Sequence, residues 1–269
     1  MSVATIERRL ASVAARLAPP TRPLEVPEMA ERLRLALDPW QVEALEAPAS
    51  RLLINASRQA GKSTVAALRG LHEILSAPDR LVLVVSPGER QSKLLFRTLM
   101  RYYRALGRPV PATVENVLSL ELANGSAAYA LPGSEDTVRG FSSVNLLLID
   151  EASRVSEEMM AAVRPMLAVS GGRLITMSTP WGKRGWWYEA WEHGGDAWAR
   201  WRVPASQCPR ISPAFLAEER RALGPLWFAS EFECQFVDTV DQLYATDLVQ
   251  AALSRDVAPL GLPSFGGAA

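Results

Sequence analysis

The sequence is poor in the residues that define several large classes of protein. Its 269 residues include only two cysteines and two histidines. Cys208 and Cys234 offer neither a disulfide framework nor metal-ligand spacing, which excludes a disulfide-stabilised secreted fold and fits a reducing cytoplasm. His72 and His193 stand alone in the sequence, so we interpret them as packing or surface residues rather than metal ligands.

Excess charge and long apolar runs are also missing. Lys+Arg and Asp+Glu balance at 29 each, so the chain has no global attraction to nucleic acid, and any DNA contact must come from a local patch. No stretch reaches 18 apolar residues, and the N-terminus lacks the apolar segment of a signal peptide. We therefore expect a cytoplasmic protein without membrane contact. The apolar fraction of 48% is enough for a sizeable core.

The most informative stretch covers residues 51–64. The apolar run from Leu52 to Ile54 predicts a short buried strand, a polar loop follows, and an Ala- and Leu-rich helical pattern begins after Thr64. This is the layout of a phosphate-binding P-loop, in which free backbone N–H groups at a helix N-terminus face an anion. The residues predicted to bind ATP in this loop are Ser57, Arg58, Gln59, Ala60, Gly61, Lys62, Ser63 and Thr64.

Two side chains of this loop have specific predicted tasks. Lys62 is expected to reach the β- and γ-phosphates, and the Ser63 hydroxyl to hold Mg²⁺. One departure from the motif is Ala56, which stands where the pattern has glycine, a residue that tolerates φ angles that alanine resists. A chance Gly-Lys-Ser at a helix start is the alternative, and the flanking strand and helix argue against it.

A second motif lies at residues 146–151, where an apolar run ends in Asp150-Glu151. In a Walker B motif the strand delivers the aspartate to the sheet edge, where Asp150 supports the Mg²⁺ shell. Glu151 is placed to activate a water against the γ-phosphate. A carboxylate pair at the end of a strand is weak evidence alone, but after a P-loop it predicts an ATPase rather than a GTPase-like fold.

Other residues are candidates for catalysis and coupling. Arg58 within the loop and Arg139 before the Walker B strand could supply transition-state charge, although each could instead form a surface ion pair. Ser178-Thr179-Pro180 ends the next strand, where a polar pair can sense the γ-phosphate and pass its loss onward. Gln41, after Trp40, could bind the adenine edge through its amide, which is both donor and acceptor; an ordinary helix start is the alternative.

The apolar pattern predicts a doubly wound α/β fold. The continuous apolar run at 81–85 is typical of a parallel strand buried on both faces. Further strands are predicted at 145–149 and 173–177, and the strands alternate with helical segments. Asn124-Gly125 between alternating runs predicts a hairpin. We expect an N-terminal helix and linker at 1–27, a P-loop NTPase core of the RecA/ASCE kind at 28–180, a small lid subdomain at 181–239 and a tail at 240–269.

Six of the eight tryptophans fall within residues 181–201, interleaved with basic residues. This composition could form a stacking surface for nucleic acid. The more ordinary interpretation is that Trp187 and Trp191, four residues apart on a helix, pack a small core of the lid.

These motifs together resemble the ATPase half of tailed-phage terminase large subunits, the motors that package DNA. The matching segments are Trp40-Gln41, Ser57–Ser63, Arg139-Gly140, Leu148–Ala152 and Ser178–Lys183. The resemblance covers about residues 35–245 and implies that the absence of a glycine at position 56 is tolerated. It implies two candidate arginine fingers, Arg58 and Arg139, of which the second could act on a neighbouring subunit's ATP.

The resemblance also implies partners. These are double-stranded DNA, a homo-oligomeric ring on a portal, a small terminase subunit and a separately encoded nuclease, all in the cytoplasm of a host cell. The family continues into an RNase-H-like nuclease after a passage that Glu231–Phe236 resembles, and the segment after Phe236 is too short for that fold. We therefore expect no nuclease activity from this chain, which would be truncated, half of a split gene or a degenerate remnant.

Two rival functions remain. A helicase-like DNA-dependent ATPase would need a second RecA-like domain, and too few residues follow Pro180 to build one. A degenerate prophage remnant would bind nucleotide only as an interaction module, and the intact Lys62, Asp150 and Glu151 argue against it.

Overall fold

The computed structural model describes residues 23–132, 138, 140–238, 248 and 251–253. The described residues up to Val237 belong to one compact unit, and a separate short unit begins at Asp238. The predicted N-terminal helix and most of the predicted tail lie outside the described residues. None of the described helices is long and apolar enough to cross a membrane.

The helices and strands alternate through most of the chain. The helices are α1 Val26–Arg32, α2 Pro39–Glu46, α3 Lys62–Ser76, α4 Glu89–Ala105, α5 Glu157–Val163, α6 Gly185–His193, α7 Pro213–Leu223 and α8 Pro225–Glu231. The strands are β1 Arg51–Ala56, β2 Leu81–Ser86, β3 Ala112–Glu115, β4 Ser119–Leu122, β5 Ala127–Pro132, β6 Leu146–Asp150, β7 Arg173–Ser178 and β8 Ala199–Val203.

The described strands form one eight-stranded sheet in the order β3-β4-β5-β2-β6-β7-β1-β8. Six neighbouring strands run parallel, in the order β5, β2, β6, β7, β1 and β8. Strands β3 and β4 add an antiparallel edge beside β5. The predicted doubly wound, mainly parallel sheet is therefore confirmed. The hairpin at Asn124-Gly125 is confirmed too, because Ser119 pairs with Tyr129 across it.

The sheet is covered on both faces, which explains why its central strands are continuously apolar. Alternate residues of β6 point to opposite sides. Leu146 and Leu148 join the core formed with α3 and α4, whereas Leu147 and Ile149 join the core that includes Met160 of α5. All four leucine and isoleucine side chains are fully buried. Because β6 is packed on both faces, its place in the sheet is fixed, and Asp150 at its carboxyl end lies at the sheet edge.

The expected boundary between core and lid at residue 181 needs correction. Strand β8 lies within the expected lid but pairs in parallel with β1, from Leu52–Ala199 to Ala56–Val203, so it belongs to the main sheet. Later in the expected lid, α7 and α8 are separate helices, because Gly224 adopts φ 76° and Pro225 starts a new helix. Only α7 and α8, with the small cluster of Ala205, Phe228 and Phe232, remain as a separate layer.

The tryptophan-rich segment also differs from expectation. Trp187 is 1% exposed and packs into the main core on the α5 side of the sheet, with Trp191 partly buried against the same core. Trp198 joins them. The interpretation of a satellite lid core is thus wrong, because α6 packs directly on the main sheet layer. Because Trp187 and Trp198 are buried, these two rings are unavailable for base stacking.

Candidate nucleotide-binding site

The predicted phosphate loop connects β1 directly to α3. Ala56 is the last residue of β1 and has an extended strand conformation. The left-handed positions of the loop are instead Gln59, with φ 62°, and Gly61, with φ 94°. Since Ala56 does not need a positive φ, its side chain costs nothing there, and the departure from the glycine pattern is explained.

Gly61 is held by a residue from the preceding helix. The Gln41 amide nitrogen donates to the Gly61 carbonyl at 3.1 Å, and the Gln41 amide oxygen accepts from the Asp38 backbone N–H at 2.8 Å. A Cβ on Gly61 would lie 2.5 Å from that amide nitrogen, so glycine is required for space as well as for φ. Gln41 is 2% exposed. The structure thus shows it supporting the loop, and its adenine contact stays a prediction.

A second support comes from Arg210, which the sequence analysis missed. Its guanidinium makes two bonds of 2.8 Å to the Asp38 carboxylate and a 3.2 Å bond to the Ala60 carbonyl. Asp38 is the N-cap of α2 and is only 8% exposed in its side chain. Asp38, Gln41 and Arg210 therefore form a connected set of hydrogen bonds that holds the end of the loop. Because 172 residues separate Arg210 from Asp38, no local pattern signals this pair.

Lys62 lies at the start of α3 with its ammonium inside the loop. The ammonium nitrogen donates to the carbonyls of Ala56 at 2.8 Å and Ser57 at 3.0 Å. Burial lowers the pKa of Lys62, and the charges of Glu151 and Asp150 partly oppose this. A buried cation surrounded by carbonyls and facing two carboxylates is suited to an anionic phosphate, which would stabilise its charged form.

Asp150 and Glu151 end β6 opposite Lys62. The Glu151 backbone N–H donates to Asp150 Oδ1 at 3.0 Å. Glu151 has φ 50° and ψ 42°, a left-handed conformation that costs energy for a residue with a side chain. Burial, and next the neighbouring charge of Glu151, raise the pKa of Asp150 to about 6.

One cavity of about 500 Å³ collects most of the predicted site. Its lining includes the loop from Arg58 to Thr64 together with Asp150 and Glu151. Three further residues line it that the sequence analysis did not select: Thr98 and Arg101 from α4, and Arg210. Thr98 and Arg101 lie on the polar face of the amphipathic helix α4. The sequence pattern predicts that such residues are exposed, but it does not show that they lie near the loop.

Arg58 lines the cavity, but its guanidinium is engaged in an ion pair. Its guanidinium pairs with Glu231 of α8, with Nε to Oε2 at 2.6 Å and Nη2 to Oε1 at 3.3 Å. The Arg58 side chain is 63% exposed and that of Glu231 is 10% exposed. To act on a γ-phosphate, Arg58 would have to leave this pair, so its catalytic role stays a prediction. Arg139, the other predicted finger, lies outside the described residues.

The predicted coupling segment, Ser178-Thr179-Pro180, is buried at the end of β7. The Ser178 hydroxyl lies 2.7 Å from that of Ser153, two residues after Glu151. On its other side, the Pro180 carbonyl accepts from the Ser230 hydroxyl of α8 at 3.1 Å. The segment therefore joins the turn that carries the predicted base to the helix that holds Arg58. Its role as a sensor stays a prediction.

These features define a class of protein. A phosphate loop follows β1, an aspartate–glutamate pair follows β6, and β7 lies between those two strands in a parallel sheet. This arrangement is that of a P-loop ATPase of the ASCE kind.

Comparison with known proteins specifies the family. Residues 53–251 match the family model "Terminase large subunit, T4likevirus-type, N-terminal", and the chain belongs to this family. The terminase large subunit of Thermus virus P23-45 is 22% identical over 234 residues, which cover 73% of this chain and 48% of that protein. The chain thus spans about half the length of the curated relatives it matches.

Solved structures confirm the fold. The large terminase ATPase domain of Thermus phage P74-26 superposes with a TM-score of 0.70 at 20% identity, covering 80% of this chain and 99% of that domain. The large terminase of bacteriophage HK97 gives a TM-score of 0.63 at 17% identity, over 80% of this chain and 54% of that one. A large terminase from a thermophilic bacteriophage, solved with ADP, gives 0.61 at 14% identity, over 75% and 54%.

Proposed function

We propose that this chain is the ATP-hydrolysing motor part of a terminase large subunit and drives double-stranded DNA into a phage or prophage procapsid. The observation that carries the proposal is the cavity in which Lys62, Ser63, Asp150 and Glu151 meet. Family membership supports the packaging role.

The chemistry of the donors in this cavity fits Mg²⁺. Ser63 supplies a hydroxyl and Asp150 a carboxylate, the hard oxygen ligands that Mg²⁺ prefers. Among the described residues no group of three or more His, Cys, Asp or Glu forms a dedicated metal cage. A site with few protein ligands suits an ion that is completed by nucleotide phosphates and water. Bound there, Mg²⁺ would neutralise phosphate charge.

The protein's own groups divide the reaction between them. Backbone N–H groups at the start of α3 and the Lys62 ammonium bind and orient the phosphates. Glu151, in its left-handed turn beside Asp150, holds the attacking water and accepts its proton. Arg58, once released from Glu231, and Arg139 are the proposed sources of transition-state charge, the latter in a neighbouring subunit.

We infer the remaining partners from the same family role. They are a homo-oligomeric ring on a portal, a small terminase subunit and a nuclease provided by another chain or segment, in the cytoplasm of the host. The large terminase from a thermophilic bacteriophage has been solved with ADP and with ATP-γ-S, which supports ATP as the nucleotide here.

The proposal is tested by Glu151→Gln. The variant should bind ATP with near wild-type affinity and lose turnover by on the order of 100-fold or more, because an amide cannot accept the water's proton. Steady-state phosphate release and fluorescent-nucleotide binding measure the two effects. Glu192→Gln, an exposed change on α6, is the control and should hydrolyse normally. Wild-type turnover by Glu151→Gln would remove Glu151 as the base, and binding without any hydrolysis by the wild-type chain would favour a degenerate module.

A further inference from the structure

The turn that carries Glu151 depends on contacts from outside it. Glu151 keeps its left-handed φ of 50° although it has a side chain, and such a conformation persists only where the surrounding structure enforces it. Two backbone hydrogen bonds close the short 3₁₀ helix Ala152–Arg154 that follows. They run from the Arg154 N–H to the Glu151 carbonyl at 2.9 Å and from the Val155 N–H to the Ala152 carbonyl at 3.2 Å. The direction of the Glu151 carboxylate therefore depends on what holds this 3₁₀ helix in place.

Two side-chain hydrogen bonds connect the turn to β7 and α6. The Ser153 hydroxyl lies 2.7 Å from the Ser178 hydroxyl at the end of β7. The Trp186 indole N–H, on α6, donates to the Val155 carbonyl at 2.8 Å. These bonds hold the residues on either side of Arg154, so that the position of Arg154 itself is the remaining question.

Arg154 is held by an aromatic ring. Its guanidinium carbon lies 3.9 Å from the centroid of the Trp181 ring, well inside the ~6 Å within which a cation is attracted to the face of an indole. Arg154 is exposed, and among the described residues no carboxylate forms an ion pair with it. The aromatic contact is therefore what orients this guanidinium.

The Trp181 ring is anchored independently of the turn. It packs against the ring of Trp227 on α8, with 6.4 Å between the centroids. The preceding residue, Pro180, is bonded through its carbonyl to the Ser230 hydroxyl of the same helix. Trp181 thus offers Arg154 a surface that is fixed from elsewhere in the fold.

We propose that Trp181 and Arg154 are positioning residues for Glu151, and that their stacked side chains fix the turn so that its carboxylate faces the attacking water. This rests on the proposed function, which makes Glu151 the base. Neither residue lines the nucleotide cavity, so both act through the turn and not on the nucleotide. A misplacement of about 1 Å is enough to slow a catalysed step strongly. Because Lys62 is held separately by carbonyls of its own loop, loss of the stack should slow cleavage and leave ATP binding unchanged.

The experiment is a double-variant cycle in the full chain. Arg154→Gln removes the cation, Trp181→Leu removes the aromatic face, and a third variant carries both changes. Single-turnover ATP hydrolysis with excess protein measures the cleavage step, and fluorescent-nucleotide binding measures affinity. Arg164→Gln is the matched control, since Arg164 is another exposed arginine for which no ion pair is found among the described residues. Thermal unfolding shows whether each variant is folded.

We expect Arg154→Gln and Trp181→Leu each to slow cleavage by about fivefold or more, at unchanged nucleotide affinity. The double variant should match Trp181→Leu, because either single change already removes the stack. Arg154→Lys and Trp181→Phe keep a cation and an aromatic face, so both should cleave within about twofold of the wild-type rate. Arg164→Gln should cleave like wild type.

Several results would overturn the inference while leaving the proposed function standing. Wild-type cleavage by Arg154→Gln would show that the stack does not position the base, and losses that multiply in the double variant would show that the two residues act independently. Weaker nucleotide binding in place of slower cleavage would assign the stack to the phosphate loop. If Trp181→Phe were as slow as Trp181→Leu, the aromatic face would not be the cause.

Two further results keep the test decisive. If Trp181→Leu does not fold, the comparison of Arg154→Gln with Arg154→Lys decides, because an exposed side chain can be changed without disturbing the core. Absence of ATP hydrolysis by the wild-type chain, or wild-type turnover by Glu151→Gln, would reject the proposed base and the inference together.

Discussion

The sheet core and the α7–α8 pair are held together in different ways. Helix α3, on the core, buries eight of its residues, whereas α7 buries none and α8 buries three. The core depends on close apolar packing along both faces of the sheet. The pair α7–α8 depends on a small aromatic cluster and on the polar contacts of Ser230 and Glu231.

The phosphate loop lies where these two regions meet, and its two cations show the difference. Lys62 donates to carbonyls of the loop itself and is fixed by the core. Arg58, four residues earlier, reaches outward to Glu231 on α8. The loop thus carries two cations that are held differently. Lys62 is fixed by carbonyl contacts, whereas the exposed ion pair of Arg58 with Glu231 can be broken by small changes. The core supplies the site's geometry, and α7–α8 supplies its adjustable contacts.

The largest predicted effect contrasts one leucine from each region. Leu148→Ala, at a fully buried position in β6, should lower the free energy of unfolding by about 2–5 kcal/mol, through lost burial and the cavity left behind. Leu226→Ala, at a position 54% exposed on α8, should change it by less than about 0.5 kcal/mol. Urea denaturation measures both. Similar losses from the two substitutions would show that α8 is packed as tightly as the sheet.

A smaller effect is expected from Asp150→Asn, measured without nucleotide or Mg²⁺. The folded chain holds the pKa of Asp150 at about 6, above its ordinary 3.8. Between about pH 4 and 6 the unfolded chain loses this proton while the folded chain keeps it, so stability falls as pH rises through that window. The neutral amide should remove this loss and raise stability at pH 7.5 by on the order of 1 kcal/mol.

Thermal unfolding at pH 5 and pH 7.5 tests this. Asp196→Asn, an exposed change, serves as the control and should leave the pH dependence intact. A variant at position 150 that is less stable than wild type at pH 7.5 would contradict the prediction, because it would mean that the ionised carboxylate stabilises the empty site.

The smallest effect on global stability should come from Glu231→Gln. The Arg58 side chain is largely exposed, so losing the ion pair should cost only a few tenths of a kcal/mol to about 1 kcal/mol. The local effect should be clearer: amide hydrogen exchange should quicken in α8 and in the loop near Arg58, but not along β6. Glu218→Gln, exposed on α7, is the control. Unchanged exchange in α8 would show that Arg58 does not hold it.

Sequence patterns were sufficient where neighbouring residues determine the structure. The run of β6 followed by Asp150, and the loop that leads into Lys62, each contain their own strand, turn and helix signals within about a dozen residues. The parallel sheet followed from uninterrupted apolar strands, and the hairpin from Asn124-Gly125.

Contacts between distant segments could not be predicted in this way. Arg210 contacts Ala60 of the loop across 150 residues, and Glu231 contacts Arg58 across 173. The surroundings of both residues in the sequence look like ordinary polar helix and loop. Strand β8, Ala199–Val203, has mixed polar and apolar residues because it is an edge strand, and so it lacked the signal of its buried neighbours. The left-handed φ of Gln59 has no residue-type signal either.

Ser230 and Glu231 are consecutive residues of α8, yet they bond to different parts of the site. Ser230 donates to Pro180 after β7, and Glu231 accepts from Arg58 in the phosphate loop. A rigid helix cannot turn far at one of these residues and stay still at the other. We therefore expect a ligand that breaks the Arg58–Glu231 pair to alter the Pro180 contact as well, and any coupling between the two contacts acts with equal size in both directions. A spectroscopic probe beside Pro180 would then report what happens at the phosphates without touching them.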